Sequence, residues 1–135
     1  MIRSVLAVLT GLMAQTTALF AIDAVAEPWM LQTFPDALPS RAAISHNIWA
    51  TIFMFVYSSK CIAGGGYVAA WLARRLEIRH AVIMGAIQAA LVIPAMIAYP
   101  DESPLWHWIL GIVLIVPAAG GGGFIRARQT KGRVS

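Results

Sequence analysis

AVIMGAIQAALVIPAMIAY, Ala81–Tyr99, runs for nineteen residues without a charge. As an α-helix it extends about 28 Å, close to the roughly 30 Å of a bilayer's hydrocarbon core. Three more runs share its character: Ser4–Ala26, Ile48–Ala73 and Leu105–Ile125. Together they take up most of the 135 residues and leave too little chain for a soluble domain. The fold expected is all-α: a single-domain integral membrane four-helix bundle, antiparallel and up-down, with helices at about 4–26, 48–73, 81–99 and 105–125. An outer loop, 27–47, and a basic tail, 126–135, complete it.

Composition agrees. Mean hydropathy is +0.73, and 12% of residues are charged, against about 25% in soluble domains. The net charge of +4 raises nucleic acid as a partner, but the placement of the charges argues against it. Arg3 precedes the first run, Arg74, Arg75 and Arg79 separate the second from the third, and Arg126, Arg128, Lys131 and Arg133 follow the fourth. Eight of the ten basic residues therefore share one side of a four-pass chain. The other side holds Arg41 with Glu27, Asp36, Asp101 and Glu102. This positive-inside pattern puts both termini in the cytoplasm. Trp49, Trp106 and Trp108 mark the outer interface, and Trp71 the inner one. Arg3, the apolar run and Ala24-Val25-Ala26 have the outline of a cleaved signal. The run exceeds the 7–15 residues of such a signal, so the first span is expected to be retained.

The prolines of the outer loop, Pro28, Pro35 and Pro39, are expected to exclude a regular helix there. The loop reads as an interfacial segment or as a lid. Pro94 and Pro117 are expected to kink the third and fourth spans. The short connections Arg74–His80 and Pro100–Pro104 imply that the last three helices pack in sequence.

Small residues recur at four-residue spacing: Ala7/Gly11, Gly65/Ala69/Ala73, Gly66/Ala70 and Gly85/Ala89. In lipid such pairs let helix backbones approach, so Gly64, Gly65, Gly66, Gly85 and Gly121 are read as packing positions. Ala63-Gly64-Gly65-Gly66-Tyr67-Val68 is echoed by Ala119-Gly120-Gly121-Gly122-Gly123-Phe124-Ile125, which a duplication or two independent seams would produce. Neither tract carries the Lys-Ser/Thr of a phosphate loop.

Lys60 is the outlier. It lies about 20 Å from the inner boundary, where a cation is costly and marks a functional candidate. His46, Phe53, Lys60 and Tyr67 form one stripe, with Ala50, Tyr57, Gly64 and Trp71 beside it. The polarity of this stripe turns it inward. Asp23, about 28 Å from the inner boundary, is its natural partner, because side chains on the two helices lean toward each other. The alternative leaves Asp23 in outer headgroup water with Lys60 snorkelling alone. Lys60, Asp23, Tyr57, Gln15 and Gln88 form the candidate intramembrane polar site, with Thr16, Thr17, Ser58 and Ser59 in nearby layers. Such residues act as hydrogen-bond glue or line an ion path.

An enzyme or haem protein is the third reading, and no residue pattern here supports it. There is no Ser-His-Asp set and no metal-ligand cluster, no cofactor is implied, and Cys61 is the sole cysteine. His46 and His107 read as interface histidines rather than haem ligands.

Gly64 to Ala70, Arg74-Arg75, His80 to Gly85, Pro104-Leu105-Trp106-His107-Trp108 and Pro117 resemble a pattern in small uncharacterised four-helix bacterial membrane proteins, over roughly residues 60–125. The resemblance implies a multi-pass protein of the bacterial inner membrane and no particular activity. Small multidrug transporters share the size, but they carry a glutamate in the first helix that this chain lacks. The leading expectation is a non-enzymatic structural or accessory protein, partnered by the lipid bilayer and by a second copy or another membrane protein. The alternative is a small oligomeric transporter or channel using Lys60.

Overall fold

The computed structural model describes residues 2–132, all-helical with no strand among them. Its helices are α1 (Ile2–Thr33), α2 (Arg41–His46), α3 (Ile48–Ala73), α4 (Glu77–Ala98) and α5 (Leu105–Gly132). All except α2 are long and apolar enough to cross a bilayer. The shortest of these, α4 with 22 residues, extends about 33 Å.

The bounds of α3 match the sequence reading. The others differ at an end, and the differences have causes. α1 continues through Pro28 to Thr33, so proline does not keep the outer segment out of helix. A proline in a helix interior costs about 3 kcal/mol. Just beyond it Met30 is buried with Leu38, Ile44 and Ala50, and each large side chain so buried contributes about 1.5–3 kcal/mol. Burial outweighs the missing hydrogen bond. The remaining connection folds back onto α3, and α2 joins α3 through Asn47. Its backbone N–H closes α2 on Ala43 and Ile44, and its side chain accepts from the N–H groups of Trp49 and Ala50 at 3.1 and 3.2 Å. Helices α4 and α5 also run on through Pro94 and Pro117.

The α3–α4 connection shrinks to residues 74–76, with Arg74 (φ 58°) and Leu76 (φ 50°) left-handed. Helix α4 therefore starts at Glu77 rather than Ala81. Helix α5 passes Ile125 and takes in most of the expected basic tail. Arg126 lies 3.9 Å from Glu77, and Thr130 donates to Glu77 at 3.0 Å. Arg133 lies outside the described residues.

Helix α3 is the hub. It packs on α5, α1 and α4, and α5 also packs on α4, whereas α1 and α5 flank α3 without extensive contact. Consecutive spans do touch, but α3 and α5, separated by α4 in the chain, share the most extensive interface. The interior is made of small residues, Ala7, Ala69, Ala70, Ala81 and Ala119, with Met84 the largest side chain fully buried. Large apolar residues face out, among them Met13, Phe20, Leu91, Ile97 and Val113. A belt of that extent requires an apolar surrounding or a partner.

Glycine sets the helix separations. A methyl on Gly66 would overlap the Ala119 carbonyl of α5, and one on Gly122 would overlap the Ala63 carbonyl of α3. The two echoed tracts thus lock into each other. Gly11 and Gly65 join α1 to α3 in the same way, each placing an added Cβ 2.7 Å from the other's carbonyl oxygen. Gly85 would meet Ala119 Cβ at 2.9 Å, and Gly123 would meet Ala81 Cβ at 2.6 Å. Gly64 and Gly121, read from sequence as packing positions, instead face open space. Within a glycine run, adjacent residues point about 100° apart, so not all of them can face a neighbour.

Candidate functional site

Helix α1 carries Asp23 and α3 carries Tyr57, and the phenol donates to the carboxylate Oδ1 at 2.6 Å. Tyr57 is buried and Asp23 half-buried. The Phe53 ring sits edge-on to Tyr57, centroids 5.5 Å apart, and Trp29 of α1 lies 6.1 Å from Phe53. The apolar rings beside the pair keep its surroundings low in dielectric, which strengthens a charge-assisted bond. Chemically the pair is a fastener between two helices, the phenol donating and the carboxylate accepting, with the Cys61 thiol one turn along α3 from Tyr57.

Lys60 is not part of it. Three residues on from Tyr57, it is turned about 60° around α3 and is exposed. Among the described residues it makes no ion pair or hydrogen bond. The expected Lys60–Asp23 pair is therefore replaced by Tyr57–Asp23. The inward turn given to the stripe is also wrong for Lys60, His46 and Phe53, all exposed. The physical reason is that α3 buries its glycine and alanine faces, where backbones come closest, and leaves the bulkier polar stripe outside.

The remaining members of the expected polar layer do not converge. Gln15 is buried, 3% exposed, against Gly65, and its Oε1 has no hydrogen-bond partner among the described residues. It lies about 12 Å along α1 from Asp23. Gln88 is half-buried on α4, Ser58 and Ser59 are half-buried, and Thr16 and Thr17 are exposed. Among the described residues no hydrogen bond joins them to one another or to Asp23.

A second polar region was not read from the sequence. Where α1, α2 and the α4–α5 connection meet, a cleft of about 510 Å³ is lined by Glu27, Arg41, Ser45, Glu102, Ser103 and His107. Arg41 pairs with Glu27 at 3.1 Å, and the Ser45 hydroxyl reaches the Glu102 carbonyl at 2.9 Å. The His107 ring packs on Phe55, centroids 5.0 Å apart. The sequence signal was the outer-side charges, but their meeting depends on α2, which the proline count had argued away.

Compared with protein-family models, with curated proteins and with solved structures, the chain matches none.

Proposed function

We propose that this chain is a multi-pass protein of the bacterial inner membrane, non-enzymatic, serving as a structural or accessory component, with both termini cytoplasmic. The observation that carries this reading is the construction of the bundle. Its interior is closed by backbone-to-backbone glycine contacts at Gly11/Gly65, Gly66/Ala119 and Gly122/Ala63, while its exterior is the bulky apolar surface. That is how helices associate where lipid is the solvent. A tightly closed interior with Lys60 outside favours an accessory role over transport through the bundle.

The register of contacts supports the up-down arrangement. Asp23 meets Tyr57, Gly11 meets Gly65 and Arg3 meets the Leu72 carbonyl, so α1 and α3 run opposite ways. Gly85 with Val116 and Ala119, and Gly123 with Ala81, Ile78 and Glu77, give the same for α4 and α5. Phe55 with His107, Ala63 with Gly122 and Tyr67 with Gln129 run α3 and α5 together. The basic residues at one end supply the orientation, and the resemblance of residues 60–125 supports the bacterial inner membrane. The test is a pair of topology reporters. Fused after Gly132, a cytoplasm-active reporter is expected to be bright and a periplasm-active one silent. Inserted after Ser103, the pattern is expected to reverse. The same signal at both sites would overturn the reading.

A further inference from the structure

Helix α3 keeps one face largely exposed, although Phe53 on it also packs beside Trp29 of α1. Trp49, Phe53, Val56, Lys60, Gly64 and Trp71 are all exposed, at intervals of four, three, four, four and seven residues. That is the repeat of a helix-packing seam. The two helices that flank α3, α1 and α5, have no extensive contact with each other. At the centre of the exposed face is a cation, Lys60, and one turn on is Gly64, where an added Cβ would meet nothing within 4 Å. A small residue beside a charge lets a second backbone come close enough to bring its own polar group to that charge.

We propose that this face of α3 seats a transmembrane helix of a different protein, and that an aspartate or glutamate near the middle of that helix pairs with Lys60. The inference rests on the membrane reading above and names the partner it implies. Lys60 is the thirteenth of the 26 residues of α3. It therefore lies about 18–20 Å along the helix from either end, and a lysine side chain reaches only about 6 Å. Snorkelling does not bring its ammonium to the headgroups, so a lipid phosphate is not the counter-ion. Within the chain, Asp23 is held by Tyr57, Glu27 by Arg41, and Glu77 by Arg126 and Thr130. Asp36, Asp101 and Glu102 lie in the connections beyond the ends of α1 and α4. A symmetric second copy would set Lys60 against Lys60, a like-charge contact in low dielectric. The charge complement must come from another chain.

The test uses the full chain, with a donor fluorophore fused at its C-terminal end, in zwitterionic phosphatidylcholine vesicles at neutral pH. The probes are acceptor-labelled Leu/Ala peptides of about 22 residues carrying one central Glu, Gln or Lys. The Glu peptide is expected to bind about tenfold more tightly than the Gln peptide. Lys60→Met should abolish that preference, Lys60→Glu should transfer it to the Lys peptide, and Gly64→Leu should weaken Glu-peptide binding. Equal binding of the Glu and Gln peptides, or a preference that survives Lys60→Met, would overturn the proposal. So would self-association of the chain that depends on Lys60, which would make the occupant a second copy. The topology reporters are independent of these readouts. If they hold while peptide discrimination fails, the docking proposal alone falls. A chain that does not insert into the vesicles removes both.

Discussion

An alanine scan through the two glycine tracts separates packing from mere composition. At Gly66 an added methyl would overlap the Ala119 carbonyl oxygen, with that residue's C and Cα at 2.9 and 3.0 Å; at Gly122 it would overlap the Ala63 carbonyl. These are backbone atoms of a facing helix, which cannot rotate aside, so α3 and α5 must separate. At Gly64 and Gly121 the same methyl meets nothing within 4 Å. Replacing glycine by alanine in a helix gains about 0.5–1 kcal/mol wherever it is done. That gain is common to both classes and cancels between them. The difference between Gly66→Ala and Gly64→Ala is therefore the overpacking term, about 1–3 kcal/mol. Cys61 provides the assay, since it is the only cysteine, free and buried at 8% exposure. In mild detergent a maleimide dye labels it only when the bundle opens, and the labelling rate tracks the open population. Labelling of Gly66→Ala and Gly122→Ala should be at least about fivefold faster than that of Gly64→Ala and Gly121→Ala, and the latter two should label no faster than the parent. Equal rates at Gly64 and Gly66 would refute the seam as described.

The other expectations use the same readout. Tyr57→Phe strips the Asp23 carboxylate of its donor and should cost about 1–2 kcal/mol; no change would mean the bond at 2.6 Å contributes nothing. Asn47→Ala removes the cap of α3 and should cost about 1 kcal/mol, whereas Asn47→Asp should be tolerated. Lys60→Met, on the isolated chain, should be neutral or stabilising, because no group among the described residues pairs with it; a clear loss would reveal an internal partner. Gly65→Leu should be far worse than Leu110→Ala, since Gly65 touches Gln15 and Gly11 and Leu110 is 40% exposed.

The four long helices were legible because their signal is one-dimensional: an uninterrupted apolar run of sufficient length. Depth along a helix was legible for the same reason. Counting residues brought Asp23 to within two turns of Lys60, near the level where it meets Tyr57 instead. Direction around the helix was not. In a soluble bundle, polarity marks the outer face, but here the interior and the exterior are both apolar, and polarity says little about which way a residue points. Polarity alone turns the stripe through Lys60 inward, whereas the neighbouring Gly65, Gly66, Ala69 and Ala70 form the buried face. The glycine runs had the opposite difficulty. Gly64 to Gly66 offers a small residue in three directions, and only the positions of α1 and α5 choose between them.

Side-chain size therefore decides the faces of α3 where hydropathy does not. Helices close on the side where backbones approach, which is the glycine and alanine side, and whatever is bulky or charged is displaced to the rim. Lys60 is displaced in this way, between Val56 and Gly64 on an exposed face of α3. A cation unsatisfied in the middle of a membrane-spanning helix is costly, and no ion pair or hydrogen bond among the described residues offsets it. The Asp23–Tyr57 pair shows that the same bundle can satisfy a half-buried carboxylate when it has a partner to hand. Lys60 has no comparable partner among the described residues, and that difference between the two sites is what the peptide-binding test probes.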